Sequence, residues 1–358
     1  MEFSFVEGCL PASAKKKWKE TILPFKAGDG MALNLVHVQN PRRRPKKGPV
    51  LLVHGAGVSA DIFRAPVETD VVDFLLEKGY DVWLENWRAS IVFPFNPWTL
   101  DQAAVHDHPY AVRTLLKKTG AKRVKAIIHC QGSTSFMMSA VAGLLPEVDV
   151  ILSNAVSLNP VVPPFSGLKI RYLLPLMEKL TDRLNPQWGL RAPGFVPKMV
   201  DAVVQLTHHE CQNPVCKEVS FTYGSGFPAL WSHANLNDAT HEWLKKEFAA
   251  VPLTFFAQMD LCVRAGHLVS LGGFPPLPAD FTAQAPKTRA RFSLFAGKQN
   301  LCFLPQSQTR TFEFLKKRGA HRPSLHLLNG YGHLDVFMGK DAAKDVFPLF
   351  LSELEKKN

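Results

Sequence analysis

Short continuous apolar runs alternate with helix-length amphipathic stretches over most of this chain. Val50-Leu51-Leu52-Val53, Asp81-Val82-Trp83-Leu84, Val124 to Ile128 and Val148 to Ser153 each read as a strand buried on both faces. Between them, Val71 to Lys78, Ala103 to Lys118 and Gly132 to Leu144 carry helical signals. An opening hairpin is predicted within Lys19 to His37, turning at Gly28-Asp29-Gly30. Strands alternating with helices at this spacing predict a doubly wound, mostly parallel α/β sheet. The rhythm fails from about Val161 to about Ala285, a stretch rich in Pro, Phe, Leu and Trp with isolated helical pieces at Lys169 to Leu180 and His241 to Phe248. It resumes with a strand at Ala290 to Phe295, a helix at Gln306 to Arg318, a strand at Ser324 to Leu328 and a closing helix at Ala342 to Lys356. The expected organisation is a core in two parts, residues 1–160 and 286–358, interrupted by a mainly helical cap at 161–285.

Composition narrows the class. With 358 residues, 46% of them hydrophobic and 20% charged, the chain can bury a large core. No apolar run reaches membrane-spanning length and no signal-peptide pattern opens the sequence, so a cytoplasmic protein is expected. The net charge of +11 favours anionic surfaces and allows peripheral membrane contact. Much of the excess sits in Lys15–Lys17, Arg42–Arg44, Lys46-Lys47 and Lys356-Lys357, which read as solvated loops and ends, and no nucleic-acid module accompanies them. The six cysteines, Cys9, Cys130, Cys211, Cys216, Cys262 and Cys302, are too scattered for a disulfide framework and are expected as free thiols. Cys211 and Cys216 are close, but no second cysteine pair follows, so no metal site is expected.

The chemistry is concentrated at Ala126-Ile127-Ile128-His129-Cys130-Gln131-Gly132-Ser133, an apolar strand running into a sharp turn and a helix of small residues. This is the pattern of a nucleophile elbow, with Cys130 projecting and Ile128 in place of the usual first glycine. At a helix N-terminus its thiolate is favoured. Ser133 is a second hydroxyl-bearing candidate, read as a helix cap or packing residue. His333, in Gly330-Tyr331-Gly332-His333 after the last strand, is the expected base. In Gly297-Lys298-Gln299-Asn300, Asn300 stands where such sites place the orienting aspartate; Asp335 and Asp260 are the alternatives. A serine nucleophile creates an imidazolium only during reaction and needs a carboxylate to stabilise it. A thiolate paired with imidazolium already balances that charge, so a neutral amide suffices to hold the ring. The expected triad is Cys130, His333 and Asn300, with the amides of Ala56, in His54-Gly55-Ala56-Gly57, and Gln131 as oxyanion donors.

Several long stretches carry a family resemblance: HGAGVSADIF (54–63), GYDVWLENWRAS (79–90), HCQGSTSFMMSAVAGL (129–144), LWSHANL (230–236), NLCFLPQSQTRTFEFL (300–315) and GYGHLDVFMGKDAAKDVFP (330–348). From about Leu33 to Leu354 the chain resembles the α/β-hydrolase family found alone or fused to cholesterol-oxidase-like GMC oxidoreductases. The resemblance implies an α/β-hydrolase fold with a helical cap and a cysteine elbow. No Gly-x-Gly-x-x-Gly fingerprint opens the chain, so neither flavin nor any other cofactor is expected.

The resulting expectation is a hydrolase of an ester, thioester or lactone with a hydrophobic, lipid- or sterol-like body, acting through an acyl-thioester. An apolar pocket lined by the cap would hold that body. Two other readings remain open. Polyhydroxyalkanoate synthases also carry an elbow Cys-Gln-Gly and transfer acyl groups, though they keep an aspartate at the position of Asn300. A catalytically silent scaffold that binds a lipid or protein partner would retain its ligand without Cys130.

Overall fold

The computed structural model describes residues 18–356; Cys9, Lys15–Lys17 and Lys357 lie outside them. Two strands, β1 (Lys19–Lys26) and β2 (Ala32–Gln39), form the predicted hairpin, with Lys26 opposite Ala32. The strands β3 (Pro49–Val53), β4 (Asp81–Asn86), β5 (Val124–His129) and β6 (Val148–Asn154) follow. A two-residue antiparallel ladder joins β7 (Arg183–Leu184) to β8 (Val251–Pro252), and β9 (Arg291–Gly297) and β10 (Ser324–Leu328) complete the set. Eight strands form one sheet in the order β1-β2-β4-β3-β5-β6-β9-β10, parallel from β4 to β10. This is the α/β-hydrolase fold.

Every residue of β3 is buried, because helices cover both faces of a parallel sheet. Those helices include α1 (Val71–Glu77), α2 (His108–Thr119) and α3 (Cys130–Val141). The predicted helix from Ala103 begins as a π turn at 103–107 that runs into α2. All twelve residues of α3 are buried, which explains its small side chains: the helix is wedged between the sheet and its neighbours.

Between β6 and β9 the chain forms α4 (Phe195–Thr207), α5 (Pro214–Tyr223), α6 (Asp238–Glu247) and α7 (Leu253–Ala265), with shorter turns between. Lys169 to Leu180, read from sequence as one helical piece, is a π turn at 169–173 followed by a short helix at Leu174–Met177. After β9 come α8 (Gln306–Lys317) and α9 (Phe347–Glu355). The single closing helix predicted from Ala342 is broken: a short helix ends at Asp345 and α9 starts anew at Phe347. Pro348 lacks the N–H that a continuous helix would use, and it sits in the first turn of α9, where that loss is free.

Candidate active site

Cys130 sits at the junction of β5 and α3 with φ of 53°, a left-handed conformation that a non-glycine residue adopts only when its surroundings impose it. Two close approaches impose it. A Cβ on Gly132 would lie 2.1 Å from the carbonyl oxygen of His54, and one on Gly55 would lie 2.9 Å from Cys130 Cβ. The loop leaving β3 is thus pressed against the elbow. His54 anchors it, its carbonyl accepting from Trp87 Nε1 at 2.9 Å.

Cys130 and His333 lie close together, and both are nearly enclosed, at 6% and 3% exposure. Cys130 Sγ and a ring nitrogen from each of His333 and His129 all lie within 4.8 Å of one another. Burial pushes the Cys130 thiol up. Together a hydrogen bond from the Cys302 thiol, the charge and hydrogen bond of His333 and the Gln131 backbone N–H outweigh that burial and hold it well below the ordinary thiol range. The counterpart, Cys302, is pushed well up by burial and by the neighbouring Cys130 sulfur. His129 is held well below the ordinary histidine range by burial and by the nearby His333 and His54, so it stays neutral. Its Nδ1 accepts from Asn154 Nδ2 at 2.9 Å.

Asn300 reaches the neighbouring loop but does not bond the imidazole. Gln299 N–H donates to Tyr331 O at 2.9 Å, which docks the loop after β9 onto the loop that carries His333. Asn300 Oδ1 accepts from the amides of Cys302 (3.0 Å) and Phe303 (3.2 Å). Asn300 Nδ2 and His333 Nδ1 are both buried without a hydrogen-bond partner. Of the alternatives, Asp260 pairs with Arg264 at 2.9 Å. Asp335 receives the Gly332 N–H at 2.9 Å and Asn235 Nδ2 at 2.6 Å. It therefore shapes the histidine loop through its backbone. Ser133 is a packing residue: its hydroxyl meets Ser153 Oγ at 2.7 Å and donates to Val156 O at 2.6 Å, with no part in capping α3.

Of the two proposed oxyanion donors, Gln131 directs its N–H to the Cys130 sulfur. Ala56 borders the space before that sulfur, and its carbonyl accepts from Tyr223 OH at 3.0 Å. Tyr223 and Cys302 are the two site residues that sequence reasoning missed. Cys302 lies two positions beyond Asn300, in the loop already singled out. Tyr223 closes α5 with no signal in its own neighbourhood. A further Ser-His-Glu arrangement, Ser135, His108 and Glu85, has close contacts of 2.8 and 2.9 Å. All three side chains are sealed from solvent, and Ser135 also donates to Gln131 O, so this group braces the start of α3.

On the other side of α5 from the elbow lies an apolar cavity of about 340 Å³, lined among others by Lys169, Leu173, Val200, Phe221 and Phe256. The last turns of α5 separate the two spaces: Val219 and Tyr223 face the nucleophile while Phe221 and Thr222 face the cavity. Lys169 turns its ammonium onto the carbonyls of Phe221 and Gly224. Burial lowers its pKa to about 7 although the Cys302 sulfur opposes the change. At the cavity's outer side Phe165, Met199 and Val203 are exposed.

A left-handed cysteine at a strand-to-helix turn, a histidine returned over it from the loop after the last strand and a mostly parallel eight-stranded sheet define an α/β hydrolase. Solved structures similar in fold include a monoglyceride lipase variant from Saccharomyces cerevisiae (TM-score 0.55, 13% identity, 98% of this chain and 97% of that one). An esterase from Thermogutta terrifontis is also similar (TM-score 0.54, 12% identity, 94% and 100%). No protein-family profile matches the chain. Among curated relatives, lipase member K of Homo sapiens is 30% identical over 349 residues, 89% of this chain and 83% of that protein. Triacylglycerol lipase 1 of Arabidopsis thaliana is 23% identical over 350 residues, with 89% and 83% covered. Sterol esterase 2 of Saccharomyces cerevisiae is 28% identical over 193 residues, 48% of this chain and about a third (35%) of that protein. The chain belongs to the lipase family.

Proposed function

We propose that this protein hydrolyses carboxylic esters, thioesters or lactones of hydrophobic, lipid-like substrates, with Cys130 as nucleophile and residues 161–285 as the cap. The observation that carries the reading is the Cys130 sulfur itself, held at a left-handed elbow beside His333 with the Gln131 N–H upon it and an apolar cavity on the other side of α5. The thiolate attacks the carbonyl carbon, and the negative charge moves to the carbonyl oxygen, where the Ala56 and Gln131 amides receive it. Collapse breaks the bond to the leaving group, which takes a proton from His333 and leaves an acyl-thioester. His333 then removes a proton from water. The resulting hydroxide attacks the thioester, the C–S bond breaks, and the acid departs with Cys130 again a thiolate beside imidazolium. Asn300 is the proposed positioning residue for the ring, a role in which its Oδ1, which now accepts from the Cys302 and Phe303 amides, takes the His333 Nδ1–H, an atom buried without a partner.

The names of the relatives, lipases and a sterol esterase, support a lipid ester. So do the apolar cavity and the exposed Leu168, Tyr172, Leu176, Phe195 and Leu206 outside it, which together with the net charge of +11 favour an anionic lipid surface. The five described cysteines are free, which supports a reducing, cytoplasmic setting. Among the described residues no helix is long and apolar enough to cross a membrane.

The test is intact-mass spectrometry of wild type and Cys130→Ala after exposure to p-nitrophenyl esters from acetate to palmitate, with acid release followed in parallel. An acyl adduct and turnover in wild type alone are expected. Folded wild-type protein that forms no adduct and releases no acid with any ester would overturn the reading.

A further inference from the structure

Away from the elbow, four side chains from three separate elements converge. Cys211 lies in the loop before α5, Cys216 in the first turn of α5, His233 in the short turn His233–Asn235 and His241 in α6. One potential ligand atom from each, two sulfurs and two imidazole nitrogens, lies within 4.8 Å of all the others. A tetrahedral zinc ion, with Zn–S of about 2.3 Å and Zn–N of about 2.0 Å, separates its ligand atoms by about 3.3–3.8 Å. Cys216 Sγ and His233 Nε2 are already 3.3 Å apart.

The surroundings fit a ligand set. Glu210 Oε1 lies 2.8 Å from His233 Nδ1, so the N–H of that ring is spent on the carboxylate and the Nε2 lone pair turns inward, as in a carboxylate–histidine–metal relay. Glu210 is fixed in turn by the Ala229 N–H at 2.8 Å. His241 Nε2 is buried with no hydrogen-bond partner. Asn213, between the two cysteines, accepts from the amides of Val215 and Cys216 at 3.1 Å and donates its Nδ2 to His241 O, binding the cysteine turn to α6. The two thiols are not joined in a disulfide.

We propose that Cys211, Cys216, His233 and His241 form a structural Zn²⁺ site. Two thiolates and two imidazoles in a closed tetrahedral set select zinc over the harder divalent cations, and four protein ligands leave no position for catalysis. The pattern is Cys-x4-Cys-x16-His-x7-His. A search for a second cysteine pair passes over it because the second pair of ligands is histidine.

The site staples the part of the chain that supports the base. Leu230 O accepts the His333 N–H at 2.9 Å, Asn235 Nδ2 bonds Asp335 at 2.6 Å and Gly330 O at 2.8 Å, and Asn235 O accepts from Lys340 N at 2.8 Å. The strap 230–235 thus carries both the histidine loop and one metal ligand. That catalytic consequence rests on the proposed role of His333; the zinc site does not.

The experiment is metal analysis of the full chain, purified without chelator or reconstituted with ZnSO₄ and desalted, for wild type, Cys211→Ser, His241→Ala and the control Cys262→Ser. One zinc per chain is expected in wild type and the control, and less than a tenth of that in the two ligand variants. Replacing zinc with Co²⁺ is expected to give the visible bands of a tetrahedral thiolate site. Stripping the metal is expected to lower the wild-type melting midpoint by at least about 4 °C. Wild-type protein that holds less than a tenth of a zinc per chain after reconstitution, or a Cys211–Cys216 disulfide in freshly purified protein, would overturn the proposal. If zinc binds and esters are still not cleaved, the zinc site stands and the hydrolase reading falls.

Discussion

Gly132→Ala perturbs the elbow by a single methyl group. The added Cβ would sit 2.1 Å from His54 O, 2.9 Å from Val53 Cγ1 and 3.0 Å from His54 C. Real Cβ atoms keep at least 3.0 Å from such neighbours, so α3 and the loop after β3 must separate by about 0.9 Å. The obstacle is backbone, and the His54 carbonyl is tied to Trp87, so no side-chain rotation relieves the clash. Overpacking of this kind costs about 1–3 kcal/mol. The displaced atoms include Cys130 and the Gly55-Ala56 loop proposed to hold the oxyanion, and a misplacement near 1 Å costs about 10²-fold in rate. Urea denaturation and kcat/KM on a p-nitrophenyl ester measure the two effects. The control is Gly48→Ala, whose Cβ meets nothing within 4 Å and is expected to change stability by less than about 0.5 kcal/mol. A Gly132→Ala protein with wild-type stability and wild-type kcat/KM would refute the packing argument.

Three further expectations follow from named groups. His54 is buried, and burial lowers its pKa from 6.5 to about 3, so the folded state holds it neutral while the unfolded chain protonates it below pH 6.5. Its contribution is complete above that pH and is lost as pH falls toward 3, on the order of 3 kcal/mol by pH 4; urea midpoints at pH 7 and 4 should fall further in wild type than in His54→Asn, and equal falls would contradict this. Cys302→Ala removes a hydrogen bond that favours the Cys130 thiolate, so the pH dependence of Cys130 alkylation by iodoacetamide should move to higher pH; an unmoved profile would exclude that role. Val200→Phe narrows the apolar cavity and should lower kcat/KM on palmitoyl esters at least about tenfold while leaving acetyl esters within about twofold; an equal loss on both would dissociate the cavity from acyl binding.

The strands and most of the core helices were legible because their signals are local. An apolar run such as Val50 to Val53 reports its own burial, and the Cys-Gln-Gly turn reports its own geometry whatever lies elsewhere. Sequence order also marked His333, since the loop after the last strand returns over the elbow in this topology. Breaks decided by one residue were harder to place: apolar periodicity runs through Val346, while Pro348 restarts the helix.

What the tertiary structure alone decided are convergences between distant segments. The Cys302 thiol meets Cys130 only because the loops after β5 and β9 leave the same edge of the sheet. Tyr223 reaches Ala56 only because the inserted helices fold back over the loop after β3. Asn300 was placed from a spacing rule, yet its carbonyl is taken by the amides of its own turn, a competition between local and tertiary hydrogen bonds that no spacing encodes. The Cys211, Cys216, His233 and His241 cluster is the clearest instance. Its members are ordinary residues one at a time, and the packing of α5 against α6 makes them a set. Sequence by itself determines what each segment prefers; which segments meet depends on burying one shared core, and that is a property of the whole chain.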